Sequence, residues 1–479
     1  MTVCCFAIDI INADKPPGSL AFLAGACEAA GVEYFCHSLN NEMIKRLSKT
    51  QYQKLYNSIK LETINDLLPN VQQHIDALVE DITAKQPDLI TISIFSTFQM
   101  PVTNLMLKKL RAAMPEVEMI AGGPGIQNNG DSLVKQGLLD YYVMGEGDEI
   151  LPNFIKGDRT SPYLNSTVPQ IIDLDDKFLM PSYKKVDFSG YHNLENKEKG
   201  VITITTSRGC VRSCNFCDIA ISWPKYKFRS GKNIAQEIVH HYNDTGITNF
   251  YIADSLINGS VKSFTDFNLE MIELKKSTPG LASFSYNGMF IVRDKRTHTE
   301  QFFKNMKLAG CESLAIGVET GSERLRFEMN KKFKNEDLDH HLEMSSKYGI
   351  KNFLLMFVAY PTETDEDFEE TLAMLERYQK YLLDGTIGGI NHSGIFSMLM
   401  DSPIYDHRAE IGIELLDTHS NSRLSWINHN NPDLTVKKRI LRDLSFRKKA
   451  AELRYPIPYT RRYLEYLQTV DENFIPQSD

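Results

Sequence analysis

The sequence lacks any apolar run of the roughly 18 to 20 residues that a membrane-spanning helix needs. Its first ten residues carry no positively charged segment, and their short apolar run is interrupted by Asp9, so they do not indicate a secretion signal. An excess of positive charge is also missing, because the net charge is -9. We therefore expect a cytoplasmic protein without a membrane span, and we do not expect nucleic acid as a partner.

Internal repeats and low-complexity tracts are absent as well. A hydrophobic content of 42% and a charged content of 24% exclude the disordered, collagen-like and coiled-coil classes. A length of 479 residues exceeds a single core of ordinary size and predicts two or three domains. In a reducing compartment the 8 cysteines would be thiols, metal ligands or buried residues, and not disulfides.

The first third of the chain alternates between strand and helix patterns. Residues 3–10 and 89–95 are apolar strand candidates, and helical spacing of apolar residues follows each of them. Such alternation predicts a parallel sheet with helices on both faces. Residues 1–155 are therefore predicted to form a doubly wound, Rossmann-like domain.

The rest of the chain is predicted to hold a second α/β domain. Residues 156–199 are rich in Pro, Asp, Asn and Lys and predict a linker over the surface. Residues 200–410 contain six strand patterns with helices between them, which predicts a (β/α)6 partial TIM barrel. These patterns lie at 201–205, 249–253, 282–286, 313–318, 352–358 and 394–399. Residues 411–479 predict a helical C-terminal region.

Three of the cysteines, Cys210, Cys214 and Cys217, directly follow the first barrel strand, at the end where barrel enzymes carry their chemistry. Thiolates suit the soft irons of a cluster, and Gly209 lets a short loop wrap around a cubane. Three ligands leave one iron open to chelate the amino and carboxylate groups of a methionine moiety. The spacing thus predicts that these cysteines hold a catalytic [4Fe-4S] cluster.

A zinc site is the alternative explanation for this cysteine loop. Zinc usually takes four Cys or His ligands in paired sets, and no fourth ligand stands nearby at such spacing. His240 and His241 are the remaining candidates. Chance clustering of buried thiols is a third alternative.

The spacing C-x3-C-x2-C, with the aromatic Phe216 just before the last cysteine, resembles the signature of the radical S-adenosylmethionine (SAM) superfamily. The resemblance implies that the three cysteines ligate a [4Fe-4S] cluster that cleaves SAM reductively to a 5'-deoxyadenosyl radical. It places Phe216 near the SAM adenine. It also implies an external electron donor of the flavodoxin or ferredoxin type. The substrate is a small molecule or of unknown class, because the sequence does not separate a lipid, a peptide, a nucleoside and a natural-product scaffold.

Later strand ends also resemble the successive βα units of that superfamily. The matching segments are 228–230, 251–255, 317–322, 360–364 and 402–405. By this resemblance Asp254 and Ser255 contact the SAM amino group, and Glu319 reaches the ribose hydroxyls. A helix N-cap is the alternative for Asp254, and a structural contact is the alternative for Glu319. The bulky Tyr360 departs from the family, which often has glycine before Pro-Gly-Glu-Thr.

Residues 1 to about 150 resemble the cobalamin (B12)-binding domain found ahead of many radical SAM enzymes. The resemblance rests on domain order, on Pro-Pro-Gly-Ser-Leu-Ala-Phe-Leu from residue 16, and on Gly-Glu-Gly-Asp-Glu from residue 145. It implies cobalamin contacts at Ser93, Ser96, Gly122 and Gly123, where glycine lets the backbone approach a nucleotide tail. An ordinary turn is the alternative for the two glycines.

The D-x-H-x-x-G stretch, which supplies a lower cobalt ligand in some cobalamin proteins, is absent from this region. Only His37 and His74 occur in it. Cobalamin would therefore bind without a protein histidine, or the domain keeps only the fold.

The leading hypothesis is cobalamin-dependent methyl transfer to an unactivated carbon. The alternatives are a cobalamin-free radical rearrangement, cyclisation or oxidation, and a noncatalytic iron–sulfur or metal-binding protein.

Two further features are interpreted as structural. A basic stretch near the C-terminus is predicted to be a solvated helix face, with contact to an anionic substrate, RNA or lipid as the alternative. It consists of Lys437, Lys438, Arg439, Arg442, Arg447, Lys448, Lys449 and Arg454. Core packing is predicted for Trp426 and the nearby His429, with the lining of a substrate pocket near the barrel mouth as the alternative. It is also predicted for Cys4, Cys5, Cys27, Cys36 and Cys311.

Overall fold

The computed structural model describes residues 1–8, 10, 15–60, 68–96, 99–191, 200–219, 223–399, 402–416 and 426–457. The chain divides into two compact units. The first consists of residues 1–206, 227–253 and 275–284, and the second of residues 207–226, 254–274 and 285–479. The first unit thus takes in the predicted N-terminal domain, the linker and the first two strands of the predicted barrel.

The secondary structure alternates between strands and helices, as the sequence predicts. The strands are β1 (Thr2–Ala7), β2 (Glu33–Ser38), β3 (Leu89–Ser93), β4 (Glu118–Gly122), β5 (Tyr141–Tyr142), β6 (Val201–Ile204), β7 (Ser207–Arg208), β8 (Lys227–Phe228), β9 (Asn249–Ile252), β10 (Ser285–Phe290), β11 (Cys311–Glu319), β12 (Lys351–Val358), β13 (Ile387–Ile395), β14 (Ile413–Leu415) and β15 (Trp426–Asn428). The helices are α1 (Gly18–Ala30), α2 (Leu39–Arg46), α3 (Lys49–Lys60), α4 (Leu68–Ala84), α5 (Met100–Ala113), α6 (Gly130–Lys135), α7 (Ile150–Ile155), α8 (Leu174–Lys177), α9 (Gly231–Thr245), α10 (Val261–Ser277), α11 (Glu300–Ala309), α12 (Glu323–Glu328), α13 (Asn335–Tyr348), α14 (Asp365–Leu383), α15 (Pro403–Asp406) and α16 (Val436–Glu452).

The N-terminal sheet is parallel, with the strand order β2-β1-β3-β4-β5. Every residue of β3 is buried, as expected for a central strand covered by helices on both faces. Helix α1 ends at Gly31, whose φ of 71° is the left-handed conformation that favours glycine. The order reverses between β1 and β3, so the carboxyl ends of these two strands frame the crevice in which such sheets bind ligands.

The linker is more deeply buried than a surface connection. Leu179 and Tyr183 belong to the core of the first unit, and the Tyr183 hydroxyl donates to the Thr203 carbonyl oxygen at 2.5 Å. A Cβ added at Gly25 of α1 would lie 2.1 Å from the Met180 carbonyl oxygen. Only glycine therefore fits where the linker crosses α1. Irregular buried segments have no periodicity, so the sequence pattern did not indicate this packing.

The barrel strands are all parallel within each unit. In the first unit β6 pairs with β9, and in the second the order is β13-β12-β11-β10. The predicted position of the last strand was wrong, because β13 begins at Ile387 and overlaps the predicted range only at its end. Gly388, Gly389 and Asn391 interrupt its pattern with residues that are depleted in strands.

The C-terminal region is helical over α16, and it also contains an antiparallel pair of short strands, β14 and β15, that the sequence did not predict. Three-residue strands are too short to give a pattern. The predicted helical residues 458–479 lie outside the described residues. Core packing of Trp426 is confirmed, because its side chain is fully buried, whereas His429 is well exposed.

The prediction of a solvated basic face on α16 was wrong for three arginines. Arg439, Arg442 and Arg447 are buried. Arg447 Nε donates to Asp443 at 2.9 Å, and an Arg439 amino group donates to the Trp426 carbonyl oxygen at 2.7 Å. The partners of these arginines were not apparent from the basic pattern alone.

Candidate active site

The cysteine loop follows β6 and belongs to the second compact unit. Cys214 is buried, and Cys210 and Cys217 are half-buried. Gly209 has a φ of 84°, and a Cβ on it would lie 3.1 Å from the Lys225 carbonyl oxygen. Glycine therefore lets the chain turn sharply just before the first cysteine.

Two asparagines attach the cysteine loop to the turn after α12. Asn330 Nδ2 donates to the carbonyl oxygen of Ser213 at 2.6 Å and to its hydroxyl at 2.8 Å. Asn215 Nδ2 donates to the Glu328 carbonyl oxygen at 2.8 Å. The backbone N–H of Asn215 donates to the Met329 carbonyl oxygen at 3.1 Å. The backbone on either side of Cys214 is therefore held by contacts from elsewhere in the chain.

The three thiols are largely buried and lie near cations. Burial raises the pKa of all three cysteine thiols, that of Cys214 to about 11. The positive charge of Lys331 lowers the pKa of each thiol, and that of Arg293 lowers the pKa of Cys210. A [4Fe-4S] cluster with three thiolates is anionic, so these cations fit it, and its binding would release the thiol protons. Among the described residues, no group of three or more His, Cys, Asp or Glu side chains is arranged to hold a single metal ion.

Glu319 ends β11 beside this loop. Its φ of 67° is rare for a residue with a side chain, and its carboxylate lies 2.7 Å from Lys331 Nζ. Burial lowers the pKa of Lys331, but Glu319 and the neighbouring thiols raise it to a net value above the ordinary one. A Cβ at Gly317 would lie 2.4 Å from Lys331 Nζ, so glycine there leaves room for the ion pair.

Asp254 lies after β9 and is also buried. Its carboxylate accepts a hydrogen bond from the Ser207 hydroxyl at 2.8 Å. Helix α10 begins farther on, where the Ser260 hydroxyl accepts from the Ser263 N–H at 3.2 Å, so Asp254 does not serve as its N-cap. Ser255 is half-buried beside it. Asp254, Ser255 and Glu319 remain predicted SAM contacts.

The loop after β11 is held against α14. Ser322 caps α12 and donates from its hydroxyl to Asp367 at 2.6 Å, and Arg324 Nε donates to the same carboxylate at 3.1 Å. A Cβ at Gly321 would lie 2.5 Å from the Glu370 carbonyl oxygen. This close packing fixes the backbone that carries Glu319.

The Asp367 contacts predict a pH-dependent stability. Burial raises the pKa of Asp367, but hydrogen bonds from Arg324 and Ser322 lower it to a net value of about 2. A folded-state pKa below the unfolded one stabilises the protein at neutral pH, and this contribution is lost as pH falls through the folded-state pKa. We expect Asp367→Asn to lower the thermal unfolding midpoint by a few degrees at pH 7, with a smaller difference from the wild type in acid. An equal deficit at pH 7 and at pH 3 would contradict this expectation.

An aromatic group links the cysteine loop to the end of β12. The rings of Phe216 and Phe357 have centroids 5.4 Å apart, and those of Tyr360 and Phe396 are 5.1 Å apart. Tyr360 is only 2% exposed. The bulky residue that departs from the family pattern is thus packed into the protein.

The strand ends of the N-terminal sheet bring together three of the four residues predicted to contact cobalamin. Ser93 and Gly122 are register partners at the ends of β3 and β4, Gly123 follows directly, and Ser96 lies three residues beyond β3. A Cβ at Gly123 would lie 2.5 Å from the Ile94 carbonyl oxygen, which accounts for this glycine within the fold. At Gly122 the nearest atom would be 3.7 Å away, so its backbone is open to close approach.

Comparison with protein families finds one match over the cysteine loop and another over most of the N-terminal sheet. A model of the radical SAM superfamily matches residues 204–375, and a model of the B12 binding domain matches residues 10–155. The chain is a radical SAM protein with an N-terminal B12-binding domain. Its cofactors are accordingly a [4Fe-4S] cluster and SAM for the radical SAM part and cobalamin for the B12-binding domain.

Solved structures show the same fold over most of the chain. The radical SAM methyltransferase TsrM from Kitasatospora setae, with cobalamin and a [4Fe-4S] cluster bound, is 16% identical, with a TM-score of 0.64 and 88% of this chain and 81% of TsrM covered. The cobalamin-dependent SAM radical enzyme OxsB, with aqua-cobalamin and SAM bound, is 14% identical, with a TM-score of 0.67 and coverage of 98% and 70%. The predicted α/β fold, a Rossmann-like sheet followed by a partial barrel, is confirmed.

A curated relative is an anaerobic magnesium-protoporphyrin IX monomethyl ester cyclase from Cereibacter sphaeroides. It is 23% identical over 381 residues, which are 75% of this chain and 58% of the cyclase. The radical SAM protein thus spans less than two thirds of that relative. No helix among its described residues has the length and apolar character needed to cross a bilayer.

Neither histidine of the B12-binding domain lies at the end of a crevice strand, although His37 on β2 is the register partner of Phe6 on β1. His37 is on β2, where burial and Lys85 lower its pKa to about 4, and His74 is on α4. Neither residue follows β1 or β3, whose ends frame the crevice. Gln99 instead connects the two ends, because its side chain bonds the N–H and the carbonyl oxygen of Ile10 at 2.7 and 3.0 Å.

Sequence reasoning missed Lys331, Arg293 and the turn at Asn330 as parts of the site. Asn330 and Lys332 both have positive φ, at 63° and 54°. A segment Met-Asn-Lys-Lys after a short helix reads as an ordinary polar turn. Two left-handed residues in one turn often mark a functional constraint, but their φ values cannot be read from the sequence.

Proposed function

We propose that this chain is a cobalamin-dependent radical SAM methyltransferase that acts on an unactivated carbon of a small-molecule substrate. The observation that carries the proposal is a three-cysteine loop in an electropositive setting, in the same chain as a sheet whose strand ends suit a cobalamin crevice. The similarity in fold to TsrM, a methyltransferase solved with both cofactors bound, supports this choice.

The residues around the loop have distinct roles in this proposal. Cys210, Cys214 and Cys217 would hold the cluster, Lys331 would balance its charge, and Glu319 would orient SAM through the ribose. The bound cluster and SAM would supply reductive carbon–sulfur cleavage, and bound cobalamin would supply a methyl carrier. The buried Phe357 and Tyr360 rings exclude water from the neighbouring strand end.

Radical cyclisation is the second candidate, because the curated cyclase matches 75% of this chain. The two candidates differ in the fate of the SAM methyl group. A methyltransferase moves it to cobalamin and then to the substrate, whereas the radical cyclisation proposed as the alternative uses SAM only as the radical source.

The test is anaerobic purification with cobalamin supplied, followed by iron, sulfide and cobalt analysis and incubation with methyl-labelled SAM and a reductant. The proposal predicts about four irons per chain, bound cobalt, 5'-deoxyadenosine, and label recovered with cobalamin. Deoxyadenosine without label on cobalamin would favour cyclisation. Absence of SAM cleavage by a chain loaded with iron and sulfide would overturn both.

A further inference from the structure

The loop after β12, residues 359–364, begins in a strained conformation. Ala359 has a φ of 63°, which is costly for a residue with a side chain unless its surroundings hold it there. Its N–H donates to Glu363 Oε2 at 2.8 Å, and Glu363 is buried. The Glu363 carboxylate thus stabilises the left-handed turn from within the loop.

Arg442 of α16 holds that carboxylate. One amino group of Arg442 donates to Glu363 Oε2 at 2.8 Å and to the Glu363 carbonyl oxygen at 3.1 Å, while the other donates to Asp365 at 2.7 Å. The planar guanidinium reaches all three acceptors with two separate amino groups, a fixed geometry that the single ammonium nitrogen of lysine lacks. Burial raises the pKa of Glu363 to about 7 even with Arg442 beside it. Loss of the guanidinium would therefore leave this carboxyl largely protonated at neutral pH and weaken its bond to Ala359.

Two asparagines complete what we call the C-terminal clamp, consisting of Asn428, Asn431 and Arg442. Asn428 Nδ2 donates to the Pro361 carbonyl oxygen at 3.0 Å. Asn431 Nδ2 donates to the carbonyl oxygens of Pro361 and Glu363, each at 3.1 Å. Three side chains from residues 428–442 thus fix the backbone of one six-residue loop.

The loop of residues 359–364 lies next to the aromatic residues of the candidate active site. Ala359 directly follows Val358, the last residue of β12, and precedes the buried Tyr360. Phe357, two residues earlier, packs edge-on against Phe216, which stands next to Cys217 and is predicted to lie near the SAM adenine. A change in the turn at Ala359 would move the Phe357 ring relative to Phe216 and the cysteine loop.

We propose that Arg442 is a positioning residue for SAM. Acting through Glu363 and the turn at Ala359, it fixes the aromatic wall formed by Phe357 and Phe216. The inference rests on the proposed function only in requiring that the chain bind and cleave SAM. It gives the C-terminal region, outside the barrel strands, a role in cofactor recognition.

The test compares Arg442→Met with Lys437→Met in the cobalamin-loaded, cluster-loaded protein. Lys437 is an exposed cation on the same helix, so its variant controls for charge and helix propensity. We expect Arg442→Met to raise the KM for SAM about tenfold, with a much smaller change in kcat. The SAM concentration that changes the EPR spectrum of the reduced cluster should rise in parallel. Arg442→Lys should lie between Arg442→Met and the wild type, and Lys437→Met should match the wild type.

A KM and an EPR response unchanged in Arg442→Met would overturn the inference, whereas wild-type SAM cleavage with label recovered on cobalamin would still uphold the proposed function. Equal losses of kcat and of cluster content would likewise contradict a positioning role. If Arg442→Met does not fold, Asn431→Ala removes two of the clamp hydrogen bonds at a half-buried position. That variant should show a smaller rise in the KM for SAM, and a wild-type KM would count against the proposal.

Discussion

Replacing Cys214 with alanine is expected to abolish SAM cleavage and to remove most of the bound iron. Cys214 is buried, and it is the middle member of a three-thiol set. Two remaining thiolates cannot hold a cubane whose fourth iron must stay open. The measurement is iron and sulfide content after anaerobic reconstitution, followed by 5'-deoxyadenosine formation with SAM and a reductant. We expect a rate below the detection limit.

Cys36→Ala is the matched control for this substitution. Cys36 is a half-buried thiol on β2 and does not belong to the cysteine loop. Its variant should keep the iron content and the SAM cleavage of the wild type. A Cys214→Ala protein that retained four irons and cleaved SAM would show that another residue ligates the cluster. Zinc in place of iron in the wild-type protein would support the zinc alternative.

The cysteine loop could be predicted from sequence because its chemistry is local. All three predicted ligands and Phe216 lie within residues 210–217, so spacing alone carries the signal. The strand ends at Glu319 and Asp254 could be predicted almost as well, since a short βα unit places a polar residue directly after an apolar run. The parallel N-terminal sheet was predictable for the same reason.

The clamp and the charge balance of the site could not be predicted in this way. Arg442 reaches Glu363 from α16, a helix that the sequence predicts without indicating what it packs against, and its neighbours on the chain include exposed lysines such as Lys437. A basic stretch on a helix usually indicates a solvated face. Which cations turn inward depends on where the carboxylates of other elements lie, and this is decided only by the tertiary fold.

The strand β13 illustrates a different difficulty. Strand propensity reflects how well side chains pack on a pleated surface. Gly388 and Gly389 have no side chains, so they do not contribute to a strand pattern. A Cβ at Gly388 would lie 2.7 Å from the Lys351 side chain. The glycine therefore serves the packing between β12 and β13, although it weakens the pattern from which the strand would have been predicted.

Lys331→Met is expected to reduce SAM cleavage by about a hundredfold. The substitution keeps the length and the apolar stem of the side chain but removes the cation 2.7 Å from Glu319 and near the cluster cysteines. The buried Glu319 carboxylate would then face an anionic cluster without its partner, which disfavours both the charged carboxylate and the bound cluster. The measurement is the rate of 5'-deoxyadenosine formation per cluster, so that lost iron is counted separately.

Lys332→Met controls for this change, because Lys332 is the adjacent residue and its side chain is exposed. Both residues precede α13, and both substitutions remove one positive charge. If long-range charge alone mattered, the two variants would lose activity equally, and the specific role of the Lys331–Glu319 pair would be refuted. If the pair matters, Glu319→Gln should lose activity as Lys331→Met does. Combining the two substitutions should then cost less than the sum of the single losses, because the second removes a group that has already lost its partner.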